Sequence, residues 1–276
     1  MFKKYGLIGI IFIVLVEINF FLKIQPFANW YFPIIWFSYI LLIDAIVYKI
    51  RKNSLINNHF YHFIGLFILS IFFWYIFEFF NIFIQNWEYI GLEGLGIKER
   101  WILKVVSFST VLPALFETTS LIKSVNLFDK IKLRKKYRIT KTFLFSMTIL
   151  GILCFFLPVL YPNFMFPLVW LGFFLLLDPI NYLNNQPSIL GHLKNRDPTI
   201  PLSLLLAGIV LGFFWEFWNY YAVIKWVYDI PFVNFFKIFE MPILGYLGYF
   251  PFAFELYAMY WFVRGLFTYR NEFLIE

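Results

Sequence analysis

The chain has 276 residues, of which 62% are hydrophobic and only 14% are charged. Because a water-soluble domain of this length needs a largely charged exterior, this composition excludes an ordinary soluble fold. The formal net charge of +7 would suit nucleic-acid binding. However, the basic residues lie in the segments that flank apolar runs, where membrane topology and anionic lipid account for them. We therefore expect membrane lipids as partners and no nucleic acid.

Eight apolar runs follow one another along the chain, each long enough to cross about 30 Å of hydrocarbon. They lie near 5–24, 30–48, 62–85, 101–122, 142–160, 165–183, 200–222 and 243–264. The sequence therefore predicts an all-α, polytopic bundle of about eight transmembrane helices. The first run follows Lys3 and Lys4, as in a signal peptide. Because it lacks a small-residue cleavage site, we expect it to be a retained helix.

Lys and Arg are distributed unequally between the two sets of connecting segments. One set comprises the N-terminus, the segments near 49–60, 123–141 and 184–199, and the C-terminus with Arg270. It holds 17 of the 23 basic residues, and the alternate set holds the other six. By the positive-inside rule, the first set is cytoplasmic in a multi-pass protein of the cell membrane. This predicts cytoplasmic N- and C-termini.

The two halves of the chain repeat one pattern of polar and aromatic residues. At an offset of 134, the matching pairs include Phe32 and Phe166, Pro33 and Pro167, Trp36 and Trp170, Asp44 and Asp178, and Ser54 and Ser188. At an offset of 138, they include Glu78 and Glu216, Asn81 and Asn219, Pro113 and Pro251, and Glu117 and Glu255. This order predicts two parallel four-helix repeats, 1–138 and 139–276, joined by a basic linker at 123–141.

The candidate site residues are polar groups that the repeat places inside apolar runs. An ionisable group there costs at least about 2.5 kcal/mol and normally faces protein or water. The candidate catalytic residues are Glu78, Glu117, Glu216 and Glu255. The candidate substrate-binding residues are Asn81, Asn219, Asp44, Asp178 and Trp215. A seventh acid, Glu17, has no partner in the repeat, and its role stays open.

Helical spacing gives some of these acids polar neighbours. Asp44 shares a helix face with Tyr48, and Asp178 shares one with Asn181 and Tyr182, which favours brackets that fix a helix end over a functional role. In each half a glutamate and the asparagine three residues later also share a face. Their carboxylate and amide are placed to converge on one ligand or on each other.

The element Pro-x-x-x-Glu occurs once in each half. Proline removes a backbone donor and frees the carbonyl four residues earlier, which belongs to Ser109 or Leu247 and would open a polar notch. Small residues nearby would let the helices approach closely. We therefore expect Glu117 and Glu255 to face each other across the axis between the halves and to hold the functional protons. A pure packing role is the alternative.

Other chemistries are disfavoured by residue type. The histidines His59, His62 and His192 form no metal-binding motif, and Cys154 is the single cysteine. The sequence also lacks a phosphate-binding glycine loop, a dinucleotide fingerprint and an aspartate-rich motif for magnesium diphosphate. We therefore expect no metal and no cofactor. Two possibilities are left. One is carboxylic-acid chemistry in an apolar cavity, and the other is movement of ions or protons along carboxylates.

The segments 214–219, 225–228, 239–242 and 247–255 resemble a widespread family of polytopic bacterial and archaeal membrane proteins of uncharacterised function. More distantly, their layout is similar to the lycopene cyclase domain of the heterodimeric and fungal-type carotenoid cyclases. Those cyclases share Pro-x-Glu-Glu or Pro-x-Glu-Asp, whereas Glu255 here stands four residues after Pro251. The resemblance implies proton-initiated chemistry on a polyisoprenoid.

Three functions follow from this pattern. The first is a membrane enzyme that uses buried carboxylic acids to cyclise, isomerise or hydrate an isoprenoid-type lipid. The second is a proton- or ion-coupled transporter or channel with paired acids at the repeat interface. The third is a non-catalytic membrane scaffold. A blind aromatic pocket favours the enzyme, and a polar path between the two surfaces favours transport.

Overall fold

The computed structural model describes residues 2–135 and 137–267. Seven segments in this part of the chain are helical, long and apolar enough to cross a membrane. They are Lys4–Leu22, Tyr31–Arg51, Phe60–Ile84, Ile97–Ser124, Lys141–Leu160, Pro162–Leu183 and Thr199–Tyr221. The predicted mostly helical, multi-pass character is thereby confirmed. Lys136, Arg270 and the C-terminus, which the topology prediction also uses, lie outside the described residues.

In the first half, three continuous helices precede a span that is divided in two. The continuous helices are α1 (Lys4–Leu22), α2 (Tyr31–Arg51) and α4 (Phe60–Ile84), with the one-turn α3 (Leu55–Asn58) between the last two. Strand β1 (Trp87–Ile90) then leads to α5 (Ile97–Phe108) and α6 (Val111–Ser124). Where α5 meets α6, the hydroxyls of Ser109 and Thr110 donate to the carbonyls of Val106 and Ser107.

In the second half, a 3-10 segment interrupts the second span. The elements up to the interruption are α7 (Lys141–Leu160), α8 (Pro162–Met165) and the 3-10 segment Phe166–Trp170. After it come α9 (Gly172–Leu183), α10 (Ile189–Lys194) and α11 (Thr199–Tyr221). The last described elements are β2 (Lys225–Tyr228), β3 (Lys237–Ile238), β4 (Met241–Pro242), the 3-10 segment Ile243–Gly248 and α12 (Tyr249–Phe267).

The eighth predicted span, 243–264, corresponds to α12 and the 3-10 segment before it. Although α12 has 19 residues, it is not among the seven apolar helices, because Glu255, Arg264 and several tyrosines make it more polar. Pro113 and Pro251 each stand at the third position of α6 and α12. The predicted notch inside a helix is therefore wrong, since proline in a first turn removes no intrahelical hydrogen bond.

Packing divides the helices into an interior helix and peripheral ones. α6 has 12 of its 14 residues buried and packs on α2, α4 and α11. α1 buries only four residues and leaves a row of large apolar side chains exposed, which suits a lipid-facing helix. A Cβ at Gly9 would lie 2.6 Å from the carbonyl oxygen of Ser38, so glycine lets α1 approach α2 closely.

The hydroxyl of Tyr31 also donates to Glu17, at 3.2 Å, which ties α2 to α1.

Two short sheets lie in the loops of one end of the bundle. β1 and β2 pair in antiparallel register, with Trp87 opposite Tyr228 and Tyr89 opposite Trp226. β3 and β4 form the second antiparallel pair. The strands are a departure from the all-α prediction, and their length of two to four residues leaves no readable alternation in the sequence. The first sheet joins the two halves of the chain.

Candidate functional site

Asp44 binds the start of a neighbouring short helix. Its carboxylate accepts hydrogen bonds from the N–H of Ile56 and the hydroxyl of Ser54, both at 2.9 Å. Ser54 is also the N-cap of α3. A carboxylate at this position satisfies free N–H groups and opposes the helix dipole. The predicted partner, Tyr48, is not bonded to Asp44. The ring of Tyr48 instead lies against the ammonium of Lys3.

Asp178 occupies the corresponding position at the start of α10. It accepts hydrogen bonds from the N–H groups of Ile189, at 2.7 Å, and Leu190, at 3.0 Å. Its predicted partners face elsewhere: Asn181 donates to a carbonyl of α12, and the hydroxyl of Tyr182 accepts from the lysine that ends α10. Both aspartates are fully buried and bind the start of a short helix, as expected of helix brackets, and Asp44 also accepts a hydrogen bond from the hydroxyl of Tyr5 on α1.

Glu255 binds the start of α9 inside the membrane span. Its Oε1 accepts a hydrogen bond of 2.9 Å from the N–H of Phe173. This N–H is free because the 3-10 segment Phe166–Trp170, which contains Pro167, interrupts the helix just before α9. Glu255 is therefore a side-chain cap for a broken helix, and it is completely buried.

Glu117 has no such partner, although it is equally buried. Among the described residues, neither of its carboxyl oxygens has a hydrogen bond of acceptable geometry, and the carboxyl of Asp44 lies beside it. The neighbouring Thr118 bonds to the hydroxyl of Tyr39, at 2.8 Å. Because α2 is continuous where α9 is broken, it offers Glu117 no free N–H group.

Glu117 and Glu255 have separate surroundings rather than a shared one. Within the described residues, no hydrogen bond or electrostatic contact joins them. Glu117 lies against α2 and Asp44, whereas Glu255 lies against α9. The expectation that they face each other across the axis is not supported. Each carboxyl instead faces a helix in its own half of the chain.

Glu78 holds three aromatic side chains. Its Oε1 accepts hydrogen bonds from the indole N–H of Trp74 at 3.1 Å, from that of Trp87 at 3.0 Å, and from the hydroxyl of Tyr89 at 2.7 Å. Trp74 lies one turn before Glu78, and the other two belong to β1. A single carboxylate therefore fixes the orientation of three rings in one wall.

Glu216 holds two tyrosines in the same way. Its Oε1 accepts hydrogen bonds from Tyr228, at 2.8 Å, and Tyr249, at 2.6 Å. Trp226 in turn donates to the hydroxyl of Tyr228, at 2.7 Å. The side chain is completely buried, and Oε2 has no partner among the described residues. One oxygen of this carboxyl is therefore uncommitted.

Asn81 and Asn219 close the turns that lead from a helix into a strand. The Nδ2 of Asn81 donates to the carbonyl of Trp87, at 2.7 Å, and that of Asn219 donates to the carbonyl of Trp226, at 2.8 Å. The Oδ1 of Asn219 accepts from the N–H of Trp226. The amides therefore bond to the backbone rather than converging with the glutamates, because the strands bring free backbone groups to them.

A cavity of about 460 Å³ lies between the side chains held by Glu78 and those held by Glu216. Its walls are mainly apolar, and many of the side chains are aromatic. They include Trp74, Trp87, Tyr89, Trp215, Tyr228 and Tyr249. No Asp or Glu occurs in the lining that the described residues form, so the two glutamates lie behind the rings they hold. Of the candidate residues, only Trp215 lines the cavity directly.

The hydroxyls of Tyr89 and Tyr228 remain protonated in this setting. Burial, and then the negative charge of Glu78, raises the pKa of Tyr89 well above its ordinary value. Burial and the charge of Glu216 raise the pKa of Tyr228 in the same direction. Both tyrosines are therefore hydrogen-bond donors to their glutamates across the physiological pH range.

The sequence interpretation missed the residues that connect the glutamates to the cavity. Tyr89, Tyr228 and Tyr249 were not among the candidates, yet they line the cavity and bond to the glutamates. A signal was present, since Trp-x-Tyr occurs at 87–89 and again at 226–228. Within the described part of the chain, no group of three or more His, Cys, Asp or Glu residues is placed to hold a metal ion.

Comparison of the chain with protein-family models, with curated proteins and with solved structures found no match.

Proposed function

We propose that this multi-pass membrane protein binds an isoprenoid-type lipid in the aromatic cavity and acts on it by acid-initiated cyclisation, isomerisation or hydration. The observation that carries the proposal is the arrangement of the cavity walls. Tyrosine hydroxyls on two sides are each bonded to a glutamate, the half-buried Glu78 on one side and the fully buried Glu216 on the other. Acid groups thereby lie directly behind the aromatic walls of an apolar chamber.

The size and lining of the cavity support lipid binding. A volume of about 460 Å³ falls in the range of about 300–1,000 Å³ that small-molecule sites occupy. Rings such as Trp74, Trp215 and Phe252 bury apolar chains well, and their π faces stabilise a cation within about 6 Å. Such walls suit a reaction that passes through a carbocation.

The proposed reaction needs one carboxylic acid as proton donor, Glu216, and one carboxylate as proton acceptor, Glu78. Glu216, protonated on one carboxyl oxygen, gives its proton to the hydroxyl oxygen of Tyr228 or Tyr249. That hydroxyl turns away from Glu216 and gives its own proton to the substrate, where the π electrons of a double bond form the new C–H bond. The resulting cation is attacked by a second double bond or rearranges. It then loses a proton through Tyr89 to Glu78, and the C–H electrons form the product double bond. The product of cyclisation or isomerisation is an isomer of the substrate, whereas in hydration water attacks the cation and then loses the proton. Proton exchange with water returns Glu78 to the carboxylate and Glu216 to the acid before the next turnover.

The surroundings of Glu117 and Glu255 give them another part in this proposal. Glu255 caps α9, and neither side chain lines the cavity. We therefore assign the proton transfer to Glu216 and Glu78, and structural roles to Glu117 and Glu255. This proposal differs from the sequence-based expectation that Glu117 and Glu255 hold the functional protons.

Gene duplication would explain why the two walls are alike. β1 and β2 each contain Trp-x-Tyr, and their register pairs the Trp of one strand with the Tyr of the other. This is the pairing that a twofold axis between Glu88 and Val227 would produce. Asn81 and Asn219 also make equivalent bonds. We propose that the halves are parallel repeats, with α12 as the eighth span and both termini cytoplasmic.

The proposal is tested by incubating a linear polyisoprenoid alkene with the reconstituted protein in D₂O. The wild type is expected to form an isomeric product that carries deuterium. Glu216→Gln and Glu78→Gln should each lower the rate by about 100-fold or more, since a positioned acid or base contributes about 10²–10⁴-fold. Glu88→Gln, an exposed glutamate of β1, should keep the wild-type rate. Deuterium incorporation that both variants retain would contradict the proposal.

The transporter predicted as an alternative has less support. It requires polar groups along a path between the two surfaces, whereas the cavity walls are mainly apolar and their described part contains no carboxylate. Assays of proton or ion uptake into vesicles that contain the reconstituted protein test this alternative.

A further inference from the structure

The cavity is not uniformly apolar, because several polar side chains line its wall. Lys104 and Ser107 are three residues apart on α5 and therefore share a face of that helix. Asn86, just before β1, lines the same cavity. We call these three residues the Lys104 cluster. Its chemistry is not used by the proposed proton transfer.

The positive charge of Lys104 is not neutralised by the protein. Its side chain is half-buried, and its Nζ lies 4.9 Å from the ring centroid of Tyr89. Among the described residues, no carboxylate lies within ion-pair distance of it. The other lysine of the wall, Lys225, is paired with Glu240 at 2.5 Å. Lys104 is therefore the cation that is available to a molecule in the cavity.

Asn86 provides a second, independent observation. Its side chain is only 3% exposed, and its Oδ1 has no hydrogen-bond partner among the described residues. A buried carboxamide without a partner costs free energy, and such groups in folded proteins are normally satisfied by a ligand or water. The backbone N–H of Asn86 bonds to Asn81, so the residue is fixed in this position.

We propose that the occupant of the cavity is an amphiphile with a phosphate-type anionic head group, which lies against Lys104 and Asn86. The ammonium of Lys104 binds the phosphate oxygens, and the carboxamide of Asn86 donates to one oxygen and accepts from a phosphate hydroxyl. The apolar tail lies among the rings of Trp74, Trp215 and Phe252. This rests on the lipid binding proposed above but not on the acid chemistry.

The test measures binding by native mass spectrometry of the full chain in a non-ionic detergent. The probes are farnesyl phosphate, the neutral alcohol farnesol and inorganic phosphate. We expect the wild type to bind farnesyl phosphate about tenfold or more tightly than farnesol, because a hydrogen bond to a charged group is worth that ratio. Lys104→Gln should abolish the difference but leave farnesol binding unchanged, which shows that the variant is folded. Lys98→Gln, an exposed lysine of the same helix, should keep it.

Several outcomes would overturn the proposal. One is that the wild type binds farnesyl phosphate and farnesol with equal affinity. Another is that Lys98→Gln reduces the preference for farnesyl phosphate as much as Lys104→Gln does. Displacement of farnesyl phosphate by an equal concentration of inorganic phosphate would show a site for a free anion rather than for an amphiphile. If neither farnesyl compound binds, lipid binding itself fails. Binding of farnesol without a preference for the phosphate overturns only the head-group proposal.

Discussion

The ring of Tyr249 occupies the space that a side chain at position 212 would fill. A Cβ at Gly212 would lie 2.4 Å from the Cδ2 atom of Tyr249, far inside van der Waals contact. The hydroxyl of the same tyrosine bonds to Glu216, one turn later on α11. In the first half the position that matches Gly212 is Trp74, which bonds to Glu78 itself. Gly212 therefore lets a residue of α12 take the place that an indole has in α4.

We expect Gly212→Ala to displace Tyr249 from Glu216 and to destabilise the protein. Overpacking of this kind costs about 1–3 kcal/mol. Thermal unfolding in detergent, followed by tryptophan fluorescence, measures the effect. Gly65→Ala is the control, because a Cβ there meets no atom within 4 Å. Equal melting temperatures for the two variants would show that Tyr249 yields without cost.

We expect Asp178→Asn to loosen α10. The amide accepts from only one of the two N–H groups that Asp178 binds, and the lost charge-assisted hydrogen bond is worth about 1.5–3 kcal/mol. Hydrogen exchange at Ile189 and Leu190 should therefore accelerate by about tenfold or more. Asp129→Asn, which changes an exposed aspartate of the linker, should have no effect there. Unchanged protection at α10 would argue against the bracket role.

The stability of the α10 region should depend on pH through His192. Burial, and to a lesser extent the charge of Lys123, lowers the pKa of His192 to about 4, against the opposing effect of Asp197. Its ring bonds to the hydroxyl of Tyr257, at 3.0 Å. The unfolded state takes up a proton near pH 6.5 and the folded state only near pH 4, so stability is complete above about pH 6.5 and falls as the pH decreases towards 4. His192→Gln should lose this dependence in thermal unfolding between those pH values, and an identical pH profile in the variant would refute the assignment.

The proposed topology places the linker in the cytoplasm. A cysteine at Lys135, in a Cys154→Ser background, should react with a membrane-impermeant thiol reagent only after the cells are permeabilised. A cysteine at Glu93, in the loop between β1 and α5, is the control and should react in intact cells. Labelling of the Lys135 position from outside would invert the topology.

The sequence predicts the spanning helices well because each span is a local property of about twenty residues. Seven of the eight predicted runs match one apolar helical segment to within a few residues, even where Pro167 lies at a break in the helix. The eighth run matches α12, whose Glu255 and Arg264 keep it below the apolar character of the other seven, so the number of spans stays a prediction.

The contacts of the site are harder to predict because they join distant parts of the chain. Glu255 bonds to Phe173, 82 residues away, and Tyr249 bonds to Glu216, 33 residues away. Helical spacing offered Tyr48 as the partner of Asp44, but a free N–H in the next short helix is a stronger partner for a carboxylate. The repeat therefore identifies which residues are special, and only the fold determines what each one binds.

The most direct test of the central claim, that the aromatic cavity holds a lipid, is to identify and quantify the lipids that copurify with the protein. Gly248 lines the cavity, and a Cβ there meets no atom within 4 Å, so Gly248→Leu should obstruct the chamber without disturbing the fold. Gly65→Leu adds the same side chain to α4, outside the cavity. We predict that mass spectrometry of organic extracts finds an isoprenoid-type lipid in stoichiometric amount with the wild type and Gly65→Leu, and at least about tenfold less with Gly248→Leu. The same lipid in equal amount with all three proteins, or no enriched lipid with the wild type, would contradict the account.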